Sequence, residues 1–389
     1  MNLPTRTRRA SLRKTWLAIH LYLGLTLGLL FALTGLTGSA LVFYLEIDEW
    51  LNPELSARDS SGARKSYQEI FQAITRAEPQ RASSWRLEIP ENPQAVLTAR
   101  YYKPAESVGK GFAPLLVAVD PYTADVVSAR LWGSFAMTWI YDLHYTLLFD
   151  HAGKITLAIA GAFLTLALLS GMVLWWPQPG KLKSALNLKR KAGKERLNYD
   201  LHKLNGVYGL PVLLLLALTG IGLELPEYVT PLLHVTPTMT ANIQSQRPAG
   251  ATPNRISLDR AVAIARQRFP DASLRWLETP DGENGAFRIN FYQRGEPSLR
   301  FPKTNVWVDQ YSGAVLHVHD ARDEPLNEAI IHWLHPLHSG EAFGPSGRLL
   351  VFCAGLACPV LFSTGVIRRR QKQRAKGARN VAAAHGTEK

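Results

Sequence analysis

Cysteine is scarce, with 2 in 389 residues. That excludes a disulfide scaffold, a four-cysteine zinc site and an iron–sulfur cluster held by four thiolates. The chain has no C-x-x-C-H run, so it offers no attachment sequence for covalent c-type haem. It also has no G-x-G-x-x-G and no Walker sequence, and so no recognisable grip on NADH, FAD or ATP. Glycine and proline are not abundant enough for a collagen-like chain, and 47% hydrophobic residues exclude a disordered one.

Charge is missing where it matters most. Trp16 to Leu45 is 30 residues without Asp, Glu, Lys or Arg. Ile155–Trp176, Leu204–Leu223 and Leu349–Ile367 are further uncharged runs. A hydrocarbon core of ~30 Å needs about 20 apolar residues in a helix, so the chain reads as a four-span membrane protein. The first run is too long for the apolar stretch of a cleaved signal and reads as an anchor. Segments 1–14, 177–199 and 368–379 together carry a charge of +18, and the rest of the chain −5. With four crossings these segments share one side, and short Lys/Arg-rich segments stay cytoplasmic. The pI of about 9.8 therefore reports topology, not nucleic-acid binding. Trp139, Trp175, Trp176 and Trp333 sit near span ends, as interfacial aromatics do.

The expected organisation follows, with both termini in the cytoplasm. A basic N-terminus covers 1–15, a first transmembrane helix 16–45 and an exported domain 46–134. An interfacial segment and second helix cover 135–176, a basic loop 177–199 and a third helix 200–224. A second exported domain covers 225–331, an interfacial segment and fourth helix 332–367, and a basic tail 368–389. Each exported domain reads as α+β. The first has a helix over Ser66–Ala77 and strands over Ala95–Tyr102 and Leu115–Val119. The second has a helix over Leu258–Phe269 and strands near Phe287–Tyr292 and Asn305–Val308.

The two halves repeat each other. His20 and His202 each precede a Gly by four residues and a Thr-Gly pair by 17 (Thr37-Gly38, Thr219-Gly220). His144 and His338 each follow a Trp by five. Each precedes Gly-Lys or Gly-Arg by nine (Gly153-Lys154, Gly347-Arg348) and Ser-Gly or Thr-Gly by 26 (Ser170-Gly171, Thr364-Gly365). Val119-Asp120-Pro121-Tyr122 recurs as Val308-Asp309-Gln310-Tyr311. Both halves start in the cytoplasm, so they read as parallel repeats. Of 11 histidines only His20, His144, His202 and His338 recur in both halves.

Ionisable groups within spans are costly and usually functional. Neutral imidazole is a good iron ligand, and two on facing helices can hold haem b from both sides. His20 with His202 would hold one haem near the cytoplasmic face, and His144 with His338 a second at the exported face. His20 and Gly38 are five helical turns apart and would share a face. Gly24 and Gly206 would admit either a macrocycle or a neighbouring helix. His151 and His335 are alternative ligands, and His332, His335 and His338 an alternative metal cluster that Pro336 interrupts. Electrons would enter from a membrane quinol or a cytoplasmic donor. A membrane anchor without a cofactor is the competing reading. So is an iron or siderophore permease component, against which stand the lack of acids in the spans and of broken helices beyond Pro211.

At these residues the chain resembles the PepSY-associated transmembrane family of Gram-negative bacteria. The matching pieces are His20-x3-Gly24, Leu143-His144, Asp200-Leu201-His202-x3-Gly206 with Thr219-Gly220, and Leu337-His338-Ser339-Gly340 with Gly347-Arg348. The resemblance covers nearly the whole chain. It implies an inner-membrane ferric-siderophore reductase, with two PepSY-like periplasmic domains and haem b, two per chain, passing electrons to a periplasmic ferric siderophore. Implied partners are the ferric siderophore, membrane lipid, the electron donor and siderophore uptake proteins.

Overall fold

The computed structural model describes residues 4–57, 60, 62–189, 192–235, 243–248 and 254–386. Arg190 and Lys191, counted among the basic residues above, lie outside them. The helices are, in chain order, α1 (Pro4–Thr26), α2 (Gly28–Val42), α3 (Tyr44–Leu51), α4 (Tyr67–Ala77), α5 (Ala136–Thr146), α6 (Asp150–Trp175), α7 (Leu182–Ala185), α8 (Lys194–Glu224), α9 (Pro226–Leu232), α10 (Leu258–Arg266), α11 (Leu326–Ser339) and α12 (Gly344–Gly386). The strands are β1 (Trp85–Glu88), β2 (Leu97–Tyr101), β3 (Leu115–Val119), β4 (Val126–Leu131), β5 (Ser273–Glu278), β6 (Ala286–Tyr292), β7 (Thr304–Asp309) and β8 (Val315–His319). The chain divides into two units, one of Met1–Val42, Leu143–Leu225 and Leu337–Lys389, the other of Phe43–Asp142 and Pro226–Pro336.

The first unit is helical. α6, α8 and α12 are each long and apolar enough to cross a membrane, and most of each apolar stretch faces outward, as a lipid-facing helix does. The first apolar run differs from the single helix its composition implies. It breaks at Leu27 into α1 and α2, bent by 58°, and ends at Phe43. The shared face drawn for His20 and Gly38 does not exist, because the two residues sit on different helices. The bend also adds a broken helix to the chain, which removes one argument against a permease. Close packing explains several small residues. Gly35 of α2 meets the backbone of Gly355 and the side chain of Cys358 on α12, with no room for a Cβ. Cys358 is thus a small packing residue.

The repeated Gly-Lys and Gly-Arg pairs also acquire a cause. A Cβ on Gly153 would overlap the Thr146 carbonyl, and one on Gly347 would overlap that of Gly340. Each glycine lets the turn before its span fold back on the helix. The basic neighbour makes a contact to another helix. Arg348 donates to Val42 O at the end of α2 (2.7 Å), and Lys154 Nζ to Tyr145 Oη (2.6 Å).

The second unit holds one antiparallel sheet of order β4-β3-β2-β1-β5-β6-β7-β8. Two separate exported domains were implied, but β1 pairs directly with β5, Leu87 opposite Leu277, so strands from both segments share a sheet. Helices α4 and α10 cover one face, burying Ile70 and Ile74 of one and Ala261 and Ala265 of the other against Leu87, Leu277 and Ile289. The sequence-based elements lie within a few residues of these bounds. Ser66 is the N-cap of α4, in a capping box with Glu69. The two helices also cap each other: Asp259 accepts from the Tyr67 and Gln68 amides (2.9 and 3.0 Å), and Gln68 Oε1 from the Leu258 amide (3.0 Å). The repeated Asp-x-Tyr pieces are strand-end turns, in which Asp120 and Asp309 accept from the amides of Tyr122 and Tyr311 (both 2.9 Å).

Candidate functional site

All four recurring histidines fall in the helical unit, and they meet in twos. His20 of α1 faces His202 of α8, with ring centroids 6.1 Å apart and planes at 84°. His144, in the last turn of α5, faces His338, in the last turn of α11, at 6.2 Å and 54°. A metal bound in line between two imidazoles, at about 2 Å per bond and about 1 Å from nitrogen to ring centre, sets centroids about 6 Å apart. Both pairs have that spacing.

Each ring is held from behind by a Ser-Gly or Thr-Gly pair on another helix. His20 Nδ1 lies 3.1 Å from Ser170 Oγ and 3.1 Å from Ala167 O. His202 Nδ1 lies 2.9 Å from Thr364 Oγ1 and 3.1 Å from Leu361 O. His144 Nδ1 meets Thr37 Oγ1, and His338 Nδ1 meets Thr219 Oγ1, both at 3.0 Å. Every one of these hydroxyls also donates to a carbonyl of its own helix: Ser170 to Ala167 (2.7 Å), Thr364 to Val360 (2.6 Å), Thr37 to Leu33 (2.9 Å) and Thr219 to Leu215 (2.7 Å). A hydroxyl has one proton, so its oxygen accepts from the ring. The proton therefore sits on Nδ1, and Nε2 keeps its lone pair for a ligand.

The glycine of each pair meets the edge of the ring. A Cβ on Gly38 would lie 2.9 Å from His144 Cε1, on Gly171 3.1 Å from His20 Cε1, on Gly220 3.2 Å from His338 Cε1 and on Gly365 3.5 Å from His202 Cε1. Spacing had shown these dipeptides as part of the repeat, but not that they clasp histidines. Sequence reasoning did not single out the hydroxyls of Ser170, Thr364, Thr37 and Thr219 as partners of the four rings. Their recurrence was the signal. Gly24, by contrast, has no atom within 4 Å of a Cβ, and Gly206 has only Leu361 at 3.7 Å. Close helix packing does not explain Gly24.

Each pair offers two imidazole nitrogens and, among the described residues, no third protein ligand. Among the described residues no three His, Cys, Asp or Glu side chains converge as metal ligands. A metal between either pair would find two protein nitrogens and would take its remaining donors from a bound group. The alternative ligands lie elsewhere. His151 is exposed in the first turn of α6. His335 stacks edge-on with Phe301 at 4.8 Å. His332 Nδ1 pairs with Glu324 at 2.6 Å. Helix α11 runs on through Pro336, yet its three histidines form no cluster. Asp142 accepts from Trp132 Nε1 (2.7 Å), and the buried Asp200 pairs with Lys203 (2.9 Å) and Arg196 (3.1 Å).

Long apolar helices, joined in one chain to an antiparallel sheet with a helical cover, define a membrane protein with a separate sheet domain. The chain belongs to the family described as the PepSY-associated TM region, whose profile matches residues 17–372. No curated protein matches it significantly.

Proposed function

We propose that this protein is an inner-membrane reductase of four spans in two parallel repeats, which carries electrons through haem b to a ferric siderophore in the periplasm. The observation that supports this reading is the pair of facing histidine couples, each ring with Nδ1 bonded and Nε2 free. His20 and His202 would hold one haem toward the cytoplasm, and His144 and His338 the other toward the periplasm. Haem bound there supplies reversible one-electron transfer. The chain's own work is to fix the ligand tautomers, orient the rings and keep the pairs in an apolar bundle. A siderophore grips Fe(III) through hard oxygen donors that suit Fe(II) poorly, so one electron loosens the metal. The electron donor would be a membrane quinol or a cytoplasmic protein, and siderophore uptake proteins would be the functional neighbours.

The test is an absorption spectrum of the detergent-purified protein, oxidised and reduced, with haem counted per chain. Sharp low-spin b-type bands near two haems per chain are expected. They should fall on His20→Ala or His144→Ala and persist in His151→Ala. Colourless protein made with ample haem supply would overturn the reading. The bend at Leu27 favours a permease component as the second reading, since broken helices line transport sites. That reading, like a bare anchor, needs no haem.

A further inference from the structure

The face of the sheet turned away from α4 and α10 carries a row of arginines. Strand pairing sets Arg130 opposite Leu116, Leu116 opposite Arg100, Arg100 opposite Arg86, Arg86 opposite Glu278 and Glu278 opposite Arg288. The row therefore crosses β4, β3, β2, β1, β5 and β6 in register. Residues opposite one another in an antiparallel sheet point to the same side, and neighbouring strands are about 4.8 Å apart.

A network serving only the fold would alternate its signs and end neutral. This row does neither. Arg86 and Arg100 stand directly opposite each other, an arrangement that costs stability. Four guanidiniums share three carboxylates: Glu278 serves both Arg86 and Arg288, Glu88 serves Arg100 (2.7 Å) and Asp48 serves Arg130 (3.4 Å). Arg100 Nε and Arg130 Nη1 are buried and have no hydrogen-bond partner. Aromatic rings brace the row, with Arg86 4.2 Å from the Trp276 ring centre and Arg130 3.9 Å from that of Phe135. The four side chains remain 14–29% exposed, so each guanidinium keeps some contact with solvent.

We propose that this face binds a small, negatively charged ferric chelate, in preference to neutral or cationic ones. The partly exposed guanidinium edges would take the chelate's anionic oxygens. The proposal rests on the reductase reading for the metal it names, and its test is independent of haem. Trianionic gallium tris-catecholate, which accepts no electron, is titrated into the detergent-solubilised full chain alongside a cationic gallium trihydroxamate. The anionic chelate should bind at least about tenfold tighter, with affinity falling as salt rises. Arg100→Gln and Arg130→Gln should each weaken it about tenfold. Arg260→Gln, exposed on α10, should leave it unchanged. Equal binding of both chelates, or unchanged affinity in both row variants, would overturn the proposal. Should a glutamine variant not fold, the charge preference of the unaltered protein decides. Tight gallium binding by a haem-free protein would keep the site and end the reductase reading.

Discussion

His144 and His338 face each other at 6.2 Å, and each Nδ1 meets a threonine hydroxyl at 3.0 Å, Thr37 for one ring and Thr219 for the other. His20 and His202 repeat the arrangement with Ser170 and Thr364. Among the described residues no carboxylate accepts from these rings; the acceptors are neutral. The imidazoles are therefore oriented without being pushed toward imidazolate.

Removing one of these acceptors should act on the ligand more than on the fold. Thr219→Val leaves the His338 N–H without its hydroxyl, a loss of about 1 kcal/mol. The ring becomes a poorer electron donor, so the midpoint potential of a haem held there, as proposed, should rise. Thr219→Ser should restore it. Redox titration of the purified protein reads both, and a potential unmoved by valine would show that the hydroxyl only fills space.

The four glycines predict a graded series. Alanine at Gly38 would press on His144 at 2.9 Å, whereas alanine at Gly365 would meet His202 at an ordinary 3.5 Å. Gly171 and Gly220, at 3.1 and 3.2 Å, fall between. Haem retained per chain should fall most for Gly38→Ala and least for Gly365→Ala. A flat series would separate the glycines from ring placement.

In the sheet unit, Glu324 bridges His319 (2.7 Å) and His332 (2.6 Å). Burial works to raise this carboxyl, but the two histidine hydrogen bonds and charges outweigh it and bring it down to about 2. The bond to Glu324 raises His319 against the opposing pull of burial. The carboxylate's contribution is complete above about 4.3 and is lost as pH falls toward 2; that of His319 is complete below about 6.5 and is lost as pH rises through its raised value. Thermal stability of the sheet should therefore peak between those limits. Glu324→Gln should lower the melting temperature and flatten the profile, as circular dichroism in detergent would record.

The β1–β5 seam should be sensitive to cavities. Leu87 and Leu277 are fully buried and sit opposite each other. Leu277→Ala should cost about 2–5 kcal/mol in chemical denaturation of the sheet. A far smaller loss would mean that strands from the two segments do not depend on each other.

Local patterns were legible in the chain because their causes are local. The 17-residue step from His20 to Thr37, repeated from His202 to Thr219, marked the same residues that the structure brings to the two histidine pairs. The helix expected over Ser66–Ala77 lies at Tyr67–Ala77, with Ser66 as its N-cap, because a capping box is complete within four residues. The bend at Leu27 was not legible, since no proline or charge interrupts that apolar run. The merging of two expected domains was hidden too. Arg86 and Glu278 are joined by pairing across 192 positions, and no local period records it.

By itself, the sequence determined which stretches are apolar enough for lipid, which histidines recur, and where the α+β segments start and stop. Burial of apolar runs and backbone propensity act over a turn or a strand, and so they show in composition and spacing. Only the tertiary structure decided which imidazole faces which, and that each Ser-Gly or Thr-Gly holds a histidine of another helix. It also decided that eight strands make one sheet with an arginine row on one face. Those outcomes depend on shape, on glycines that let a ring edge approach, and on strand register. They exist only once distant segments have packed.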